Sequence, residues 1–371
     1  MNNYEFHFKA PARINLIGEH IDYNGGVVLP SAINLYMNLY INLRNDDKIT
    51  IKSDNFSDVV KTSLNDLDYN LKYGWSLYVV GVFFILKKHG FNINKGLDLY
   101  FKSEIPVASG LSSSAAIEDV TLFSLSSIFN LNLSRMDIVL YAKEVENDYC
   151  KLKSGVMDQA IISLAKKDTC MLLNCNTLEY SYYNVDLDNY KFVVLKTNKP
   201  RKLIESKYNE RVDECQKALK IIKTKYNVNT LAELKVNDLI NIEKLLNDNL
   251  LFKRVKHVVE ENDRVYNFID ALKNKDIKLI GKLLNESHTS LCDLYEVTGF
   301  HLDTIVASSI ASGAIGARMT GAGFGGCAIA LIDENRFDEF KDNVSKLYFE
   351  KTNIEPDIYM VSIVDGVNKT N

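Results

Sequence analysis

Neither sign of charge dominates this chain. Its 44 Lys and Arg against 48 Asp and Glu leave a formal net charge of -4. That offers neither the electrostatic footprint of a nucleic-acid binder nor a polybasic patch for a membrane surface. Long hydrophobic runs are missing too. The longest, LYVVGVFFIL at Leu77–Leu86, is far too short to span a bilayer and ends in Lys87 and Lys88. The opening residues MNNYEFHFKAPARINL lack a basic segment followed by an apolar one, so no secretory signal is expected. Six cysteines (Cys150, Cys170, Cys175, Cys215, Cys292, Cys327) include no CxxC pair. This argues against a zinc or disulfide framework and for reduced thiols in a cytoplasmic protein. No internal repeat or low-complexity tract interrupts the chain.

What is present is an ordinary globular composition, 46% hydrophobic and 25% charged over 371 residues. That length exceeds what one core usually organises, so two domains are expected. Alternation and β-branched or aromatic content predict strands at Leu35–Leu43, Lys48–Ser53, Leu97–Ser103, Thr169–Cys175, Lys191–Thr197, Gly316–Gly321, Cys327–Ile332 and Ile358–Val364. Helical patterns cover Trp75–His89, with Gly90 at a C-cap position, then Ser112–Phe129, Arg135–Tyr149, Leu203–Lys225, Phe252–Lys273, Ile277–Ser287 and Phe337–Phe349. Strands dominate early, helices between residues 200 and 312, and strands return at the end. The order predicts an α+β protein of two halves, with the boundary near residues 175–190. The working division is 1–178 and 179–371.

Three glycine-bearing stretches carry the chemistry. In GEHIDYNGG, Gly18–Gly26, five polar residues crowd between apolar neighbours. Asn24-Gly25 is a turn signal, which accounts for Tyr23–Gly26. It leaves Glu19, His20 and Asp22 unexplained. No further histidine is spaced to complete a metal cluster with them, whereas carboxylates and an imidazole suit vicinal sugar hydroxyls. The second stretch, IPVASGLSSSAAIEDV, runs from a strand end through Gly110 and three serines into an apolar helix. Open N–H groups, hydroxyls and the helix dipole there make a ready phosphate site. A plain serine N-cap is the rival explanation. The third, RMTGAGFGGCAIALI, contains a literal GxGxxG at Gly321, Gly323 and Gly326. A strand follows it instead of a helix, which argues against dinucleotide binding and for a glycine hairpin with φ > 0. Walker A, HRD and DFG motifs are all absent from the sequence.

Taken together and in this order, the three stretches resemble the GHMP small-molecule kinases, in particular the branch that acts on galactose. RINLIGEHIDYNGG is similar to that branch's signature, GLSSSAA to the phosphate loop and TGAGFGGC to the third motif. SGVMDQ, KYNERVDEC, HVVEEN and SLCDLYEVTGFHLD extend the likeness over nearly the whole chain. Departures are few. Ala12 and Ala108 stand where glycine is usual, Ile21 where threonine is common, Val212 where a second arginine occurs, and SLYVVG replaces the usual segment after Trp75.

The resemblance implies a two-domain GHMP fold with mixed sheets packed against helices in each domain. It implies ATP- and Mg²⁺-dependent phosphorylation of the anomeric hydroxyl of galactose by a cytoplasmic monomer, with no nucleic-acid or membrane partner. The same chemistry on N-acetylgalactosamine or a uronic acid, and a sensor that binds without turnover, are the alternatives. By match of motif, Asp158 and Arg13 are the catalytic pair. Glu19, His20, Asp22, Gly155 and Tyr208 hold the sugar. The nucleotide falls to Ser109, Gly110, Leu111, Ser112, Ser113, Ser114 and Ala115, with the adenine on Trp75, the only tryptophan, or more weakly on Tyr78. Ser114 and Glu146 hold magnesium. Glu146 precedes Asp158 by twelve residues and is preferred on that spacing to nearby Glu144.

Overall fold

The computed structural model describes residues 4–107, 109–152, 154–199 and 204–370. Ala108 and the start of the helix expected from Leu203 lie outside them. The strands are β1 (Phe6–Asn15), β2 (Val27–Val28), β3 (Pro30–Leu43), β4 (Lys48–Ser53), β5 (Val60–Ser63), β6 (Leu97–Ser103), β7 (Thr169–Asn174), β8 (Tyr180–Asn184), β9 (Tyr190–Lys196), β10 (Gly316–Thr320), β11 (Cys327–Asp333), β12 (Asp357–Met360) and β13 (Asn368–Lys369). The helices are α1 (Leu77–Lys88), α2 (Ser113–Phe129), α3 (Arg135–Glu144), α4 (Met157–Leu164), α5 (Ile204–Ile222), α6 (Leu239–Leu246), α7 (Asn249–Lys273), α8 (Ile277–Ser290), α9 (Phe300–Ala311) and α10 (Phe337–Thr352).

One sheet runs β13-β1-β3-β6-β4-β5 and is mixed, because β4 lies parallel to β6 while its other pairs are antiparallel. Helices α2 and α4 pack on β1 and β3. A second sheet, β10-β11-β9-β12, is antiparallel throughout and carries α9 against β10 and β11. A third, β2-β7-β8, is small. The expected α+β class with helix-covered sheets is what forms, the first sheet mixed and the other two antiparallel. The division at 178/179 falls inside the β7–β8 hairpin, and β13 returns to pair with β1.

The sequence reading missed β1, and its physical reason is plain. Its sequence FHFKAPARIN does alternate, with Phe6, Phe8, Ala10, Ala12 and Ile14 on one face, but Pro11 stands in the middle of the run, where a proline argues against a strand. Pro11 sits at a register shift between Pro11 and Ala12, where its missing N–H interrupts no regular ladder. Three helices were also missed, α4, α6 and α9. The helix expected from Trp75 begins at Leu77, because Gly74 takes φ 53° and ψ −128° and leaves Trp75 in a preceding 3₁₀ turn. Its other end is as expected: Gly90 adopts φ 80° and donates to Lys87 O, while Phe91 N donates to Leu86 O. The strand expected over Ile358–Val364 divides. Asp357–Met360 pairs with β9, whereas Ile363 bridges Ile33 of the first sheet, so the chain crosses between sheets there. The helix expected over Arg135–Tyr149 also divides: α3 stops at Glu144 and a π-helical turn spans Val145–Tyr149.

Candidate active site

A cavity of about 370 Å³ opens where the first loop, the start of α4, the start of α5 and the loop after β10 converge. Arg13 enters it near the end of β1. Its Nε donates to Asp158 Oδ1 at 2.8 Å and its Nη2 to Asp158 Oδ2 at 2.8 Å. This forked, planar pairing is one that lysine cannot reproduce. Nη1 donates to Gly110 O at 2.7 Å, so one guanidinium joins the acid to the glycine–serine loop. Burial opposes the charge on Arg13, yet the neighbouring Asp158 outweighs it and raises the pKa, so the cation is secure. Ser112 Oγ also donates to Asp158 Oδ2. With Oδ2 doubly engaged, the lone pair left for a further proton donor is on Oδ1.

The first loop is threaded through tight backbone. Gly18 and His20 take φ 96° and 61°, and a 3₁₀ turn at Asp22–Asn24 ends on Gly25 with φ 74°. The loop thus supplies the turn read from Asn24-Gly25. Glu19 is buried, and its Oε1 accepts from Arg318 Nη2 (3.0 Å), Thr320 Oγ1 (2.9 Å) and Gly321 N (2.8 Å). Only its other oxygen could meet a ligand. Asp22 lines the cavity, and burial together with the charge of Asp158 raises its pKa to about 7. Gly155 is glycine for a steric reason: a Cβ there would stand 2.0 Å from Asp22 Oδ2. Half-buried Tyr208, on α5, faces His20 and Tyr23 with ring centroids 5.8 and 5.3 Å away. Among the described residues, no three His, Cys, Asp or Glu side chains could together hold a metal ion, so Glu19, His20 and Asp22 do not form a metal cluster.

Helix α2 begins at Ser113, and its N-cap, Ser112, sits in left-handed backbone (φ 64°) with no side-chain cap. The serine N-cap explanation therefore fails. Ser112 sends its hydroxyl to Asp158, and Ser114 Oγ donates to Glu146 Oε1 at 3.3 Å. The first-turn N–H groups of a 17-residue helix thus lack the usual capping oxygen. Glu146 is carried inward by the π turn and is buried. Desolvation raises its pKa, with the charge of Asp158 adding to the effect, against hydrogen bonds that lower it. Glu144 instead faces outward and pairs with Lys88 (2.6 Å) and His89 (2.7 Å). The third glycine stretch joins β10 to β11 with positive φ at Gly321, Gly323, Phe324, Gly325 and Gly326, a hairpin as expected. It closes onto the serine loop, since a Cβ on Gly321 would lie 2.9 Å from Gly110 O. Trp75 does not line the cavity. It stacks on Phe56 (5.8 Å, 19°) and meets Phe101 edge-on.

Several residues of the site were not foreseen. Lys151, Gln159 and Asn209 line the cavity. Arg318, wholly buried, braces the first loop through Glu19 and the carbonyls of Asn15 and Leu16. Its signal was its place at the head of the third glycine stretch. Glu261 was legible only as part of HVVEEN. It accepts from Gly18 N at 3.0 Å and Ser287 Oγ at 2.7 Å; burial works against its charge, but Arg264, His257 and Arg318 hold its pKa down to about 2.

Comparison with known proteins agrees with this geometry. The model of the galactokinase galactose-binding signature matches residues 2–42, that of the GHMP kinases N-terminal domain residues 77–166, and that of the GHMP kinases C-terminal domain residues 268–350. The galactokinase of Clostridium acetobutylicum is 45% identical over 372 residues, covering 100% of this chain and 96% of that protein. That of Ligilactobacillus salivarius is 43% identical, covering 97% and 94%. Among solved structures, Lactococcus lactis galactokinase complexed with galactose superposes with a TM-score of 0.95 at 41% identity, covering 98% of this chain and 95% of that one. Methanococcus jannaschii mevalonate kinase, at 21% identity and a TM-score of 0.73, shares the fold over 98% of this chain and 99% of its own. The chain belongs to the GHMP kinases, within their galactokinase family.

Proposed function

We propose that this chain transfers the γ-phosphoryl group of ATP to the anomeric hydroxyl of D-galactose, giving galactose 1-phosphate and ADP. The observation that carries the reading is the Arg13–Asp158 fork held between the sugar-signature strand and the serine loop. An anomeric hydroxyl is a poor nucleophile until its proton leaves. Asp158, through the open side of Oδ1, is the base that takes it. The sugar oxygen then bonds to the γ-phosphorus as the bond to the β,γ-bridging oxygen breaks. Arg13 holds the Asp158 carboxylate in place through its two-pronged pairing and stands ready for the negative charge shared among acid, loop and phosphate.

Glu19, His20, Asp22, the backbone at Gly155 and Tyr208 hold the sugar in this reading. Their convergence on one cavity supports it. The residues Ser109 to Ala115 cradle the phosphates, where Ser112 contributes backbone because its hydroxyl serves Asp158. Trp75, beside Phe56, is the adenine surface, with Tyr78 secondary. Ser114 and Glu146 fit magnesium, since they place a hydroxyl and a carboxylate, both hard oxygen donors, side by side at the phosphate loop. When bound with the nucleotide, that ion neutralises charge on the β- and γ-phosphate oxygens. We place the division between domains at 178/179, in the turn between β7 and β8, and read the protein as a cytoplasmic monomer. Among the described residues, no helix is long and apolar enough to cross a membrane.

The test is a panel of galactose, N-acetylgalactosamine, glucose and galacturonic acid incubated with ATP and Mg²⁺, with sugar 1-phosphate and ADP both measured. Galactose should be turned over in preference to the rest. Binding of galactose and ATP without product would mark a sensor, and preference for another sugar would replace the substrate while keeping the chemistry.

A further inference from the structure

We infer that Tyr23 and Tyr295 are positioning residues: the hydroxyl chain they form with Cys215 decides which nitrogen of His20 carries its proton, and presents Nε2–H to the sugar. The inference rests on the sugar site proposed above. His20 is buried with its ring edge-on to Tyr23 and 5.1 Å from the ring of Tyr295. Its Nδ1 lies 2.9 Å from Tyr23 Oη. Its Nε2 is buried on a side chain that lines the cavity and makes no hydrogen bond of good geometry among the described residues; its one polar neighbour is the Ala322 backbone, which favours a proton on the ring and so agrees with Nε2–H. A buried polar nitrogen left open at a cavity wall points to a ligand.

The chain continues inward. Tyr23 Oη is 2.9 Å from Tyr295 Oη, which in turn is 3.1 Å from Cys215 Sγ and 3.5 Å from Asn24 Nδ2. Each phenol has one proton to give, so the chain has only two directions. In one, Cys215 donates to Tyr295, Tyr295 to Tyr23 and Tyr23 to Nδ1. In the other, Nδ1–H starts the chain and the final acceptor is the thiol sulfur. Sulfur is a weak acceptor, whereas a neutral imidazole nitrogen is a good one, so the first direction wins. Asn24 offers an N–H to the Tyr295 oxygen, which has a lone pair for it in either direction. Burial holds His20 neutral, its pKa lowered to about 3, so only one nitrogen is protonated and Nε2 is that nitrogen. The sugar site then contains a donor among its carboxylate acceptors.

Tyr295 is well placed to set this direction because it is buried and held from two sides. Arg211 Nε holds its carbonyl at 2.8 Å, and its ring is packed against that of His257 at 4.4 Å. Neither Tyr23 nor Tyr295 lines the cavity, and since Tyr23→Phe keeps the ring that packs against Tyr208, the effect of losing its hydroxyl passes through His20.

The test is ¹⁵N NMR of protein labelled in its 6 histidines, with the His20 signals identified by their loss in His20→Gln. Wild type should show a protonated Nε2 and an unprotonated Nδ1. Tyr23→Phe keeps the ring but not the hydroxyl. It should release the tautomer toward Nδ1–H and raise the galactose KM roughly 3- to 10-fold, with the ATP KM unmoved. Tyr295→Phe should act in the same direction to a smaller extent, and serves if Tyr23→Phe does not fold. A wild-type proton on Nδ1 would overturn the inference, as would equal losses for galactose and ATP, or a tautomer and KM unchanged in both variants. A wild-type enzyme inactive on galactose would sink the proposed function instead, and the tautomer measurement would still decide this one.

Discussion

At the scale of single residues, Gly155 and Asp158 make the sharpest claims. Asp22 occupies the space a Gly155 side chain would need, so Gly155→Ala must push that carboxylate out of place. The expected result is a galactose KM raised by at least an order of magnitude with the ATP KM nearly unchanged. An intact galactose KM would mean that Asp22 does not touch the sugar. For Asp158, an amide retains the shape but cannot accept the proton. Base catalysis contributes ~10²–10⁴ in rate, so Asp158→Asn should lose about that much in kcat while still binding nucleotide. Because Arg13 is buried and would lose its anionic partner, a thermal melt must first show that the variant is folded. Near-wild-type kcat in a folded variant would leave Asp158 as a sugar anchor only, with transfer running on positioning and phosphate electrostatics.

Among the elements, two π turns do what periodicity could not announce. The turn at Val145–Tyr149 swings Glu146 into the site while Glu144, two residues earlier, stays outside with Lys88 and His89. A 3.6-residue pattern reads straight through such an insertion, which is why a single helix was expected there. The second, at Leu291–Tyr295, sets Tyr295 beneath the first loop. Elements with local signals were legible: α1 and its glycine cap, the β10–β11 hairpin, and the start of α2. Elements whose local signal was broken or short were not, as with β1, where Pro11 interrupts an alternating run, and α4, a short helix that carries Asp158. The site residues were read almost entirely from motif resemblance, and what that could not supply were the braces behind them, Arg318 and Glu261. A magnesium titration separates the two acids of the first π turn. Glu146→Gln should shift half-maximal activity to higher Mg²⁺, and Glu144→Gln should leave the curve in place. The reverse pattern would assign the metal to the wrong carboxylate.

At the scale of the whole molecule, the first loop is the joint between the halves. Glu19 is tied to Arg318, Thr320 and Gly321 on the far side, and Gly18 to Glu261. Glu19→Gln would leave the fully buried Arg318 without its anion, a loss that typically costs about 3–5 kcal/mol. That variant should melt earlier and lose galactose and ATP binding together, unlike Asp22→Ala, which should weaken galactose alone. The groups around the joint also make stability depend on pH, with opposite signs. Asp22 ordinarily titrates at 3.8 but at about 7 in the fold, where burial and Asp158 disfavour its charge. Its contribution to stability is present in full below pH ~3.8 and is lost as pH rises through about 7. His20 and His257 run the other way. Burial lowers them from 6.5 to about 3 and about 4, so their contribution is present above pH 6.5 and is lost as pH falls toward those values. Asp22→Asn removes the first dependence only, so its gain in Tm over wild type should be larger at pH 8 than at pH 5. A gain that is the same at both would mean that Asp22 stays ionised throughout, and the buried acid beside Asp158 would have found a partner the fold does not provide.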